Sequence, residues 1–138
     1  MMKYAFSILG LMLFTSCAYY FRPVTINLRD TQSGTPIATG RLNYWKLYYI
    51  LNTGSGEVGG GEDIKNGTTD EFGAEVPFSY RITIDAPGYD VQEVYMKVPK
   101  PKSTSEEGWE TGRITRVNPF YPEKTIEASF RFGPQYKE

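Results

Sequence analysis

The sequence predicts an all-β protein, a sandwich of six or seven short antiparallel strands. Three observations carry this. Apolar residues between turns recur at a period of two, the pattern of strands with one buried face. Nine prolines and 14 glycines punctuate the chain. No stretch places apolar residues at helical spacing. Strands with a single apolar face need a second sheet to bury against, and 138 residues suffice for one such domain.

A segment of another kind precedes the first strand. Met1 to Ser16 holds one lysine near its start, then an uncharged run from Tyr4 to Phe14 rich in Ile, Leu, Met and Phe. The run is shorter than the roughly 20 apolar residues that span a bilayer. Its basic start, short apolar core and following small residues describe a secretory signal peptide. Phe14-Thr15-Ser16-Cys17 then resembles the lipobox of bacterial lipoproteins, with Phe14 where an aliphatic residue is usual and Leu13 one step earlier. The resemblance implies removal of residues 1–16, acylation of Cys17 and a short tether over residues 17–22. It also implies the outer membrane of the cell envelope, because Ala18 stands where lipoproteins retained at the inner membrane carry Asp. Each acyl methylene in a membrane contributes about 0.8 kcal/mol, so several chains anchor stably where one does not. Two other readings stay open: an ordinary signal peptidase cutting after Ala18, and Cys17 as a small buried apolar residue. Tyr19, Tyr20 and Phe21 either rest at the membrane interface or join the edge of the first strand.

The strands follow in order. Val24, Ile26 and Leu28 alternate with Thr25, Asn27 and Arg29, and Asp30 to Pro36 makes a turn. Arg41 to Ile50 is the second strand, and Val76 with Phe78 belongs to a third after a turn at Asp70-Glu71-Phe72-Gly73. Tyr80, Ile82, Ile84 and Ala86 mark a fourth closed by Pro87-Gly88, and Val94, Met96 and Val98 a fifth. Ile126, Ala128, Phe130 and Phe132 face one way in the sixth, and Ile114 to Val117 offers a seventh. Long loops are expected over residues 51–67 and 99–112, within a single domain over 23–138. Lys97, Lys100, Lys102, Glu106 and Glu107, in and beside the second loop, read as solvated charges.

Arg29-Asp30 with Gly34-Thr35-Pro36-Ile37, Thr68 to Gly73, and Ala86-Pro87-Gly88-Tyr89 together resemble the carboxypeptidase regulatory-like and transthyretin-like (prealbumin-like) domains. The resemblance covers Thr25 to Val98 and implies a Greek-key, immunoglobulin-like sandwich. In it the Thr-Asp-x-x-Gly turn reverses the chain, and the tyrosine of the Gly-Tyr pair packs on the sandwich edge. It also implies a noncatalytic accessory or interaction module.

Composition narrows the chemistry. The formal net charge of -1 provides no basic stripe for phosphates, which argues against nucleic acid as a partner. The chain has no histidine and one cysteine, which removes imidazole catalysis and metal sites, an intrachain disulfide and a thiolate cage. No cofactor or enzyme activity is expected. Glu57, Glu62, Asp63, Asn66, Asp70 and Glu71 place oxygen donors in a Gly-rich stretch, with Asp63, Asp70 and Glu71 the weak candidates for calcium, but the spacing fits no calcium loop. Asn66-Gly67-Thr68 matches a glycosylation pattern and reads as a turn. Tyr44 and Tyr48 share one face of the second strand, Trp45 and Tyr49 the other, and only one face of a strand points into a two-layer core. These four are the candidate platform for a glycan or small ligand; the other reading is that loops cover them. The expected function is a membrane-tethered binding or assembly module whose partner is an envelope protein or a glycan.

Overall fold

In the first strand the period-two pattern becomes structure directly. The structure, a computed structural model, describes residues 20–47, 59–111, 113–116 (main chain alone) and 124–137. Along β1 (Tyr20–Asp30) Arg22, Val24, Ile26 and Leu28 are buried, while Phe21, Pro23, Thr25 and Asn27 between them are half-buried. The other strands are β2 (Thr39–Lys46), β3 (Gly59–Lys65), β4 (Thr68–Thr69), β5 (Phe72–Val76), β6 (Ser79–Asp85), β7 (Gln92–Lys97), β8 (Gly108–Thr111), β9 (Arg113–Arg116), β10 (Ile126–Phe132) and β11 (Tyr136–Lys137). The described residues are all-β, with no helix among them.

All pairings are antiparallel, in one curled sheet of order β8-β10-β1-β4-β3-β2-β6-β7-β9, with β5 and β11 also on β1. β8 and β9 lie at opposite ends of that order, yet only residue 112 separates them in the chain. The sheet therefore curls until its ends approach, and β10 lies against both β7 and β9. Inside the curl, side chains from both halves form one apolar cluster, with Ile26, Leu42, Ile82, Met96 and Phe130 at 1% exposure or less. Burying each contributes about 1.5–3 kcal/mol. The apolar faces expected for the strands at Val24, Tyr80, Val94 and Ile126 are the buried faces of β1, β6, β7 and β10.

Four expectations need correction. First, residues 51–67 are not loop throughout, because Gly59–Lys65 is β3, paired with β2 from Thr39↔Lys65 to Trp45↔Gly59. Its glycines, poor strand formers by themselves, are required by close approach: a Cβ on Gly59 would stand 2.6 Å from Trp45 Cδ1, and one on Gly60 would collide with the Tyr44 hydroxyl. Second, Asp70-Glu71-Phe72-Gly73 does not reverse the chain. The reversal is the two-residue turn Asn66-Gly67, with φ of 50° and 81°, between Lys65 and Thr68. Asp70-Glu71 is instead a bulge, since Asn27 and Val24 pair with Thr68 and Phe72, and the third strand ends at Val76, with Phe78 beyond it. Third, residues 99–112 contain β8, paired with β10. Fourth, Tyr20 to Arg22 belong to β1 and not to a tether. Arg22 occupies an inward position, and a charged residue there broke the apolar alternation. The second strand is described as far as Lys46, with Leu47 following; the rest of its expected span lies outside the described residues, as does Val117.

Candidate functional site

The second strand resolves its two faces. Tyr44 points inward with Leu42, stacked on Phe72 at 4.3 Å and 13° and set edge-on to Tyr80 at 6.2 Å. Burial pushes the Tyr44 and Tyr80 hydroxyls above their usual pKa. Tyr44 is therefore half-buried against the core and not part of an exposed platform. Trp45 is on the outward face, half-buried beneath the Arg81 guanidinium at 4.9 Å. Register continues that row, because Trp45 pairs with Arg81 and Arg81 with Tyr95, which is 45% exposed. The row alternates aromatic, cation and aromatic across three strands, and Arg81 Nε is buried there with no hydrogen-bond partner among the described residues. Tyr48, Tyr49, Cys17, Tyr19 and Glu57 lie outside the described residues.

The carboxylates of the Gly-rich stretch separate. Asp63 pairs with Arg41 at 3.0 Å and Asp70 with Lys65 at 3.8 Å, all four exposed. Glu62 is half-buried and Glu71 faces a different groove, so no group of three potential metal ligands forms among the described residues. Strand alternation, together with a bulge, directs these side chains apart.

That groove, about 170 Å³, lies where β1 is flanked by two bulges. On one side is Asp70-Glu71; on the other, Val24 and Phe21 pair with Phe132 and Tyr136, leaving an extra residue near Gly133. Pro23, Thr25, Gly133 and Pro134 line it with Glu71, Glu107 and Arg131. Arg131 pairs with Glu107 at 3.1 Å and lies 5.8 Å from the ring of Trp109, the most exposed large apolar side chain described, at 58%.

Three interior or turn contacts complete the chemistry. Arg22, 2% exposed, donates from Nε to Gly133 O (2.9 Å), from Nη1 to Pro99 O (3.0 Å) and from Nη2 to Glu106 O (2.7 Å) and Phe132 O (3.4 Å). Burial pushes its pKa down, and the charges of Glu106 and Glu110 oppose that shift. Lys46 and Glu75 form a buried ion pair, with Lys46 Nζ 4.8 Å from the Phe78 ring and the Glu75 N–H donating to the Tyr80 hydroxyl. Asp30 accepts from the Gln32 and Ser33 N–H groups and from the Tyr89 hydroxyl, so the Arg29-Asp30 and Gly88-Tyr89 segments meet in space. The Tyr89 bond, ahead of the backbone bonds, holds the Asp30 carboxyl down at about 2, and the same bond pushes the Tyr89 hydroxyl up to about 12.

The chain matches no family model, no curated protein and no solved structure. Its function is therefore argued from its own residues. Sequence reasoning found Trp45 and missed Arg81 and Tyr95, its partners across the sheet. The signal was present: Arg81 and Tyr95 both occupy outward positions of strands whose inward faces were recognised. Arg22 and Trp109 carried no comparable pattern, one being a charge at a core position and the other lying in a strand that looked like loop.

Proposed function

We propose that this protein is a noncatalytic lipoprotein, anchored through acylated Cys17 at the outer membrane, whose folded part is a binding or assembly module at the bacterial cell envelope. The observation that carries this reading is the apolar run ending in Phe14-Thr15-Ser16-Cys17, directly ahead of a strand that starts at Tyr20. We read the curled sheet as a Greek-key, immunoglobulin-like sandwich, with β8, β10, β1, β4 and β5 as one layer and β3, β2, β6, β7 and β9 as the other. The continuous apolar cluster between strands of both groups supports that division. The noncatalytic part rests on composition, since the chain has no histidine and its one cysteine is assigned to the lipid. If the anchoring is right, Cys17→Ser abolishes incorporation of labelled palmitate; labelling unchanged in that variant sinks it.

A second reading is favoured by one row of side chains. Trp45, Arg81 and Tyr95 present aromatic faces and a cation on the outer side of the sheet, a surface suited to stacking on a sugar ring. A glycan array bound by the native chain, with signal lost in Tyr95→Ala, supports this; an array without signal removes it.

A further inference from the structure

We infer that the end of the sheet where β1 begins is a membrane-facing foot, with Tyr20, Phe21 and Tyr136 seated among lipid headgroups and Lys97 and Lys137 drawn to anionic lipid. This rests on the reading of Cys17 as the anchor. Tyr20 is three residues after Cys17, and three residues reach at most about 10 Å. One headgroup layer is roughly 5–8 Å thick, from a total bilayer of about 40–45 Å around a 30 Å core. A lipid attached at Cys17 therefore holds the start of β1 at the headgroups.

Register gathers suitable residues at that same end. Tyr20 pairs with Val76 and Lys137, and Phe21 with Glu75 and Tyr136. Tyr20 and Tyr136 are each 43% exposed, and the Phe21 and Tyr136 rings stack at 5.9 Å. A Cβ on Gly73 would collide with the Tyr136 hydroxyl, so glycine there lets that ring lie across the sheet. Lys97, at the end of β7, pairs with Ser79 at the start of β6, and both Lys97 and Lys137 are exposed. The described carboxylates near this end are engaged: Glu75 is buried against Lys46, the Glu106 carboxylate accepts from the Lys102 N–H, and Glu107 pairs with Arg131. The opposite end, where β1 and β6 finish, carries Asp30, Asp85 and Asp90 together with Lys65 and Lys124. Tyrosines with flanking lysines match the chemistry of the bilayer interface, where amphipathic rings sit at headgroup level and cations meet anionic lipid.

The test uses the full chain purified from membranes and reconstituted into vesicles of phosphatidylethanolamine and phosphatidylglycerol, with some acyl chains brominated near the headgroup. Acylation blocks the Cys17 thiol, so a bimane placed at Tyr136→Cys, or separately at Lys137→Cys, marks the foot. One at Val91→Cys marks the far end, where Val91 is 56% exposed. The foot labels should be quenched twofold or more by brominated lipid and the Val91 label left unchanged. Equal quenching at both ends, no quenching at either, or disulfide pairing of two copies through position 136 overturns the foot while leaving the anchor standing. Absence of palmitate in the same preparation, with bimane at Cys17 itself, overturns the anchor and the foot with it.

Discussion

Asp30 and Tyr89 give the clearest case of chemistry at the scale of single residues, because one hydrogen bond moves two pKa values in opposite directions. The Asp30 carboxyl is held at about 2 against an ordinary 3.8, so its contribution is complete above pH 3.8 and is lost as pH falls through 2. The Tyr89 hydroxyl is held at about 12 against 10.0, so its contribution is complete below pH 10 and is lost as pH rises through 12. Tyr89→Phe should therefore lower the urea midpoint by a constant amount between about pH 4 and pH 10, and the gap to the native chain should narrow on both sides. A gap that is flat from pH 2 to pH 12 contradicts the pairing. Lys46 and Glu75 make the complementary case of buried charge. Removing one partner by Lys46→Met leaves an uncompensated carboxylate and should cost about 3–5 kcal/mol, whereas Lys46→Met with Glu75→Leu should recover most of it. Denaturant unfolding of both variants checks this, and equal losses would mean the pair contributes through packing alone. Neither contact was legible in the sequence: 59 positions separate Tyr89 from Asp30 and 29 separate Glu75 from Lys46.

Among the elements, β1 and the loop after β7 depend on each other through Arg22. Its guanidinium holds carbonyls at both ends of that loop, Pro99 and Glu106, against the carbonyls of Phe132 and Gly133. A hydrogen bond to a charged group contributes about 1.5–3 kcal/mol, and a buried carbonyl left without its donor costs comparably. Arg22→Met should therefore free the loop before it unfolds the sheet. Trypsin cleavage after Lys102 should accelerate by an order of magnitude or more under native conditions, Pro101 blocking the bond after Lys100; a rate unchanged from the native chain rejects this role for Arg22. The elements also show where sequence reading stops. β1, β6, β7 and β10 bury alternate apolar residues and were readable from spacing alone. β3 was not, because its glycines answer to the rings of Tyr44 and Trp45 on β2, a constraint that lies across the sheet. β8 was missed because Gly108 to Thr111 shows no apolar alternation and lies at an end of the strand order.

For the whole molecule, the curl of the sheet sets what each end and face can do. Joining β8 to β9 through one residue brings the two ends of the sheet together, and the apolar interior follows from that closure. The all-β class was legible because it needs only the period of two, whereas the strand order depends on pairings distant in sequence. The central claim is that the folded part is held to a membrane at Cys17, and the mass of the N-terminal tryptic peptide of the membrane-purified chain tests it most directly. That peptide runs to Arg29, because Pro23 follows Arg22 and blocks cleavage there. The account predicts a peptide starting at Cys17 and carrying a diacylglyceryl thioether, with or without a further acyl group on its amine. An unmodified peptide starting at Tyr19, or a chain that still begins at Met1 with a free Cys17 thiol, would contradict it.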